Sequence, residues 1–150
     1  MIQSANTSLP DLNEEDETAW LETIADLIRQ GRYADLDYPH LAEYLSDMAI
    51  RDRREVTSRL IVLMMHVLKW TYQPTNRSRS WRGSIIEQRQ ELSGLVGRGI
   101  LRNHAETVLA EAFTSAVERA AAETGLNDDT FPAECPYTLD QLLSPAVLGE

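Results

Sequence analysis

The side chains best suited to chemistry crowd between His66 and Arg89, where His66, Lys69, Trp70, Gln73, Arg77, Arg79, Trp81, Arg82 and Arg89 surround one proline-marked turn. His66, Lys69, Trp70 and Gln73 recur at intervals of three and four residues, the spacing that shares one helix face. A histidine there could serve as a base or ligand and a lysine as an anion clamp, with arginines 77, 79, 82 and 89 adding positive charge. The favoured alternative is structural: His66 bonds a carboxylate such as Glu43, and Lys69 snorkels or pairs with an acidic residue. Trp70 and Trp81 flank the turn and could each stack a ligand ring, although tryptophans at helical spacing more often join a core. Ser78, Ser80 and Ser84 could bind phosphate through exposed amides at a helix start, whereas Ser78 or Ser80 could simply cap that helix.

Other chemistries find little material. Nitrogen and sulfur ligands are confined to His40, His66, His104 and Cys135, none at close metal-site spacing. A two-metal bundle needs Glu-x-x-His pairs on facing helices, and Glu43 with His66 is no such pair. No metal, no cofactor and no catalytic residue is therefore assigned. Cys135 precedes Pro136 and has no cation beside it in sequence to activate a thiolate, so packing of Pro136-Tyr137 against the fold is its expected role. A single cysteine makes no internal disulfide, which fits a reducing, cytoplasmic setting. The longest apolar run, Leu60 to Met65 and on past His66 to Leu68, is far short of the roughly 20 residues that span a bilayer. No membrane partner is expected, and Met1 to Glu17 lacks the basic-then-apolar order of a secretory signal.

The charge of −10 is unevenly spread over the 150 residues. Residues 1–50 carry a net −9, residues 51–102 a net +7, and residues 103–150 a net −8. A basic middle between acidic flanks is either an exposed patch for an anionic partner or a set of basic helices neutralised by acidic ones. The second is expected, because the chain as a whole repels polyanions.

Helical periodicity must position these groups. Trp20, Leu21, Ile24, Leu27 and Ile28 form one stripe that Gly31 ends in a left-handed cap. Asp37 and Pro39 mark a second start, followed by Leu41, Tyr44, Leu45 and Met48. Asp52 with Glu55 resembles a capping pair before Val56 to Leu68, a run apolar on all sides that belongs at a bundle centre. Whether these two segments join at Met48 to Arg51 is open. Pro74 closes the run, and a helix from near Ser80 carries Trp81, Ile85, Gln88 and Leu92 on one face until Gly97-Arg98-Gly99. Asn103 with Glu106 can cap the next, whose Val108, Leu109, Ala112, Phe113, Ala116, Val117 and Ala120 form a small-residue stripe up to Gly125. Thr138 with Gln141 can cap a last turn, Leu139 to Leu143. Strand-like alternation is absent. The expectation is an all-α, antiparallel bundle of about five helices with a short C-terminal helical turn, a single domain over residues 18–150 behind a polar, acidic, flexible N-terminus over residues 1–17.

His66-Val67-Leu68-Lys69-Trp70-Thr71-Tyr72-Gln73-Pro74, the Arg77-Ser78-Arg79-Ser80-Trp81 turn and Glu87-Gln88-Arg89 resemble the central signature of the bacterial family catalogued as domain of unknown function twenty-nine. The resemblance extends to Trp20-Leu21 and Leu36-Asp37, and to Thr124-Gly125-Leu126, Phe131-Pro132 and Glu134-Cys135-Pro136-Tyr137-Thr138. It implies an all-helical bacterial protein and brings no established activity. The chain departs at Ala42-Glu43-Tyr44, where the family usually has paired glutamates, and at Gly83-Ser84, where it usually has bulkier residues. The expected role is a non-enzymatic binding or adaptor module with a protein partner. The alternative is nucleic-acid or phosphate binding by the basic 69–89 corner, disfavoured by the overall charge, and the third is a hydrolase using His66 and Glu43.

Overall fold

The structure is a computed structural model and describes residues 7–149. The described residues are all-α, without strands. The chain divides between Ile50 and Arg51 into two compact units, a boundary inside the span 18–150 that the sequence reads as one domain.

In the first unit, Ser8 accepts the amide of Asp11 and Pro10 lies in the first turn of α1, Leu9–Glu15. That helix occupies the segment expected to be flexible; residues 1–6 of that expectation lie outside the described residues. Asp16 then caps α2, Glu17–Arg29, by accepting the amide of Ala19 at 3.0 Å. Trp20, Ile24 and Leu27 bury the face of α2, while Ile28, expected on the same stripe, is 43% exposed. Gly31 at φ 73° turns the chain out of α2 in the left-handed region expected for it.

The open junction at Met48 to Arg51 is helical. One helix, α3, runs Tyr38–Tyr72, with no glycine or proline between His40 and Gln73 to break it. Asp52 and Glu55 therefore sit inside a helix and cap nothing, which corrects the expectation of a start there. Instead Glu55 accepts from Nε of Arg59 one turn later, at 2.8 Å.

In the second unit the apolar run of α3 is buried almost all round: Val56, Leu60, Leu63, Met64 and Leu68 are each fully enclosed. Gln73 leaves the helix, and the 3-10 turn Pro74–Asn76 leads to α4, Arg79–Leu95. Ile85 and Leu92 of α4, with Val96 after it, close over that run. The fifth helix, α5, spans Ile100–Thr124 and is entered through Gly99 at φ 82°. Asn103 is thus within its first turn and is not the cap the sequence suggested; its amide already bonds the Gly99 carbonyl. Of the expected stripe, Ala112, Phe113, Ala116 and Ala120 are buried, while Val108, Leu109 and Val117 are half-buried; Ala105, one turn earlier, is buried with them. Gly125 at φ 76° ends α5. Thr138 and Gln141 form a reciprocal capping box for α6, Leu139–Leu143, which packs on α4 and α5.

Candidate functional site

The corner predicted between His66 and Arg89 is assembled where α3, the turn and α4 meet, and two of its cations, Lys69 and Arg77, are spent on its aromatic rings. Lys69 is buried at the last turn of α3, where its Nζ donates to Oε1 of Glu123 on α5 at 2.8 Å and lies 4.6 Å from the centroid of Trp81 on α4. On the other side, Arg77 of the turn donates from Nε to the carbonyl of Trp70 at 2.8 Å, and its guanidinium lies 4.7 Å from the Trp70 ring centroid. Each tryptophan flanking the turn thus receives a cation from across it, and each such contact is worth about 0.5–2 kcal/mol according to its desolvation. The indole N–H of Trp70 is buried without an acceptor among the described residues.

The remaining corner residues do not converge. His66 is half-buried and turns its Nδ1 to the carbonyl of Val62 at 2.9 Å, in place of the carboxylate expected for it; Glu43 is exposed and belongs to the other compact unit. Gln73 is half-buried at the end of α3. Arg79 is exposed and Arg89 half-buried, both without an acidic partner among the described residues, and Arg82 is exposed but has an interaction of its own. Ser78 caps α4 by accepting the amide of Trp81 at 3.1 Å, the structural role expected of it or of Ser80.

Neutralisation of the basic middle holds at particular positions. Arg59 pairs with Glu55, Lys69 with Glu123, and Arg102 with Asp140 and Glu106. Those bonds to Asp140 and Glu106 raise the pKa of Arg102. Arg51, Arg53, Arg54 and Arg98 are exposed and unpaired among the described residues.

Nucleophile and metal chemistry fare no better. Burial pushes the thiol of Cys135 up from its ordinary pKa, against a weaker pull from its bond to the Tyr137 carbonyl, so it is a poorer nucleophile than a free cysteine. Among the described residues no group of three or more His, Cys, Asp or Glu side chains is placed to hold a metal ion, and no helix is long and apolar enough to cross a membrane.

Two arrangements escaped the sequence. The first is a trio in the first unit, with Trp20 and Asp37 buried and His40 half-buried: Oδ2 of Asp37 accepts the indole N–H of Trp20 at 3.1 Å and lies 2.7 Å from Nδ1 of His40. Trp20-Leu21 and Leu36-Asp37 were visible as paired signatures, but only the fold shows that they meet. The second is a concavity of about 430 Å³ between α5 and the 3-10 turn Asp128–Thr130, lined by Phe113, Val117 and Phe131 together with Glu118, Asp128 and Asp129. Its signal was the net −8 of the last segment, of which the fold brings Glu118, Asp128 and Asp129 to one opening.

A family model described as domain of unknown function DUF29 matches residues 12–148. No curated protein and no solved structure matches the chain.

Proposed function

The chain belongs to the DUF29 family, and from that premise we propose that it is a non-enzymatic binding module for a protein partner. One observation carries the reading: the central cations of the corner are engaged internally, Lys69 by Glu123 and Trp81 and Arg77 by Trp70, while His66 turns its Nδ1 to the Val62 carbonyl. An enzyme keeps its acid, base or nucleophile within reach of substrate, whereas neither Lys69 nor His66 lines the concavity beside α5. A cytoplasmic setting, in which Cys135 stays a free thiol, suits the same reading.

Affinity capture from the native host tests it. The expected result is a protein that co-purifies in fixed proportion under salt that strips adventitious polyanions. Turnover of a substrate panel by the purified protein, abolished by His66→Ala with the fold intact, would overturn it.

A further inference from the structure

The concavity beside α5 carries charge that the fold leaves uncompensated. Val117, Pro132 and Ala133 give it accessible apolar walls, over Phe113 and Phe131, which lie beneath them at 2% and 4% exposure. Both buried rings are held in place from behind, Phe113 against Tyr137 at 6.1 Å and Phe131 against Tyr72 at 5.3 Å, so the floor under those walls is fixed before anything binds. Glu118, Asp128 and Asp129 line the same opening and are exposed. None of the three has an ion-pair partner among the described residues, whereas Glu55, Glu123 and Asp140 of the same unit each do.

This combination selects its occupant. A purely apolar group would strip water from three carboxylates and return nothing to them, which is costly. A free metal ion would use the carboxylates and leave the apolar walls unused. A lysine or arginine side chain satisfies both, because its alkyl stem lies on apolar surface while its head reaches an anion. The field of the whole molecule agrees with the local one: a net charge of −10 draws a basic partner toward the chain and repels a second copy of it. The volume, about 430 Å³, falls toward the small end of the roughly 300–1,000 Å³ typical of ligand sites, fit for side chains rather than a whole folded element.

We propose that this groove receives basic side chains from an extended segment of a partner protein, with their stems along Val117, Pro132 and Ala133 and their charged heads at Glu118, Asp128 and Asp129. The inference rests on the binding-module reading and gives that module's partner its chemistry.

The test is fluorescence anisotropy with a labelled decapeptide of alternating lysine and serine, titrated with the full chain. Binding is expected to weaken at least about tenfold, or 1.4 kcal/mol, in the double variant Asp128→Asn, Asp129→Asn. It is expected to change less than about twofold in Glu22→Gln, Glu87→Gln, which alters net charge equally at exposed residues that do not line the groove. Replacing each lysine of the probe by 2,4-diaminobutyric acid keeps the charge and shortens the stem, and is expected to cost about fivefold or more. Equal losses in the two double variants, or none on shortening the stem, would overturn the proposal, as would failure of the lysine peptide to bind. Spermine binding as tightly and with the same variant sensitivity would also overturn it, in favour of a small polycation. The two readings fail separately: a host partner retained equally by the Asp128→Asn, Asp129→Asn variant removes the groove and leaves the module, whereas His66-dependent turnover removes the module.

Discussion

The ammonium of Lys69 lies 4.6 Å from the centre of the Trp81 ring and bonds Glu123 at 2.8 Å, so a single cation ties the end of α3 to α4 and α5. A lysine this deeply placed is held by its two neighbours, and the energetic roles of those neighbours can be separated.

Removing the carboxylate leaves a buried charge without its counterion. Glu123→Gln is expected to destabilise the second unit by about 1–3 kcal/mol, less than the loss typical of a fully buried pair because Glu123 is half-exposed to water. Lys69→Met keeps the stem and removes the charge, and in that background Glu123→Gln should cost under about 0.5 kcal/mol. Denaturant unfolding of the four proteins measures the coupling; equal costs in both backgrounds would mean that the pair contributes nothing. Trp81 is half-buried rather than enclosed, so Trp81→Ala should cost about 2 kcal/mol, below the range for a core tryptophan.

In the first unit, Asp37→Ala strips the Trp20 indole N–H and the His40 ring of a shared acceptor. The expected loss is about 2–3 kcal/mol, because a buried donor is then left unmade. Hydrogen exchange of α2 amides reads the effect locally, and unchanged protection there would show that water replaces the carboxylate at no cost.

Alkaline pH should destabilise the second unit. Burial, with smaller contributions from Tyr72 and Cys135, raises the pKa of Tyr137 above its ordinary value, and burial likewise raises Cys135. The unfolded chain releases both protons first, so their contribution is intact below about pH 9 and falls as pH climbs through 9 for the thiol and 10 for the phenol. Melting temperature measured from pH 7 to 11 should decline less steeply in Cys135→Ala, Tyr137→Phe than in the parent. Parallel curves would remove these groups as the cause.

The corner should bind nucleic acid poorly. With Lys69 and Arg77 engaged inside it, generic duplex DNA or RNA is expected to bind no tighter than about 10⁻⁴ M at physiological salt. Salt-dependent titration of wild type against the Arg77→Ala, Arg79→Ala, Arg82→Ala triple variant checks this; tight binding lost in a folded variant would promote the nucleic-acid reading. Arg79→Ala alone, at an exposed and unpaired position, should shift stability by less than about 0.5 kcal/mol.

Helix existence was legible because periodicity records which face is buried: Trp20, Ile24 and Leu27, or Ile85 and Leu92, are spaced for it and are enclosed. Starts were harder. Asp52 with Glu55 and Asn103 with Glu106 have the composition of caps but lie inside helices, since a capping pair marks a start only where the preceding chain leaves the helix. Gly99 marked the true entry to α5 by conformation instead of by a polar side chain. At the corner, sequence showed the charges and the rings without their pairing. Whether Lys69 faces solvent or Glu123 depends on how α5 lies, 54 residues away in the chain. The groove was invisible for the same reason, because Phe113 and Phe131 are 18 positions apart and become neighbours of one opening only through the turn at Gly125.

The alanine face of α5 has a mechanical side. Ala105, Ala112, Ala116 and Ala120 meet the core with methyl groups attached directly to the backbone, and a methyl has no rotamer with which to yield. At those four positions a push on the helix finds no side-chain rotation to absorb it, and Glu123, where the ammonium of Lys69 is tethered, lies on the same rod within two turns of Val117 and Glu118.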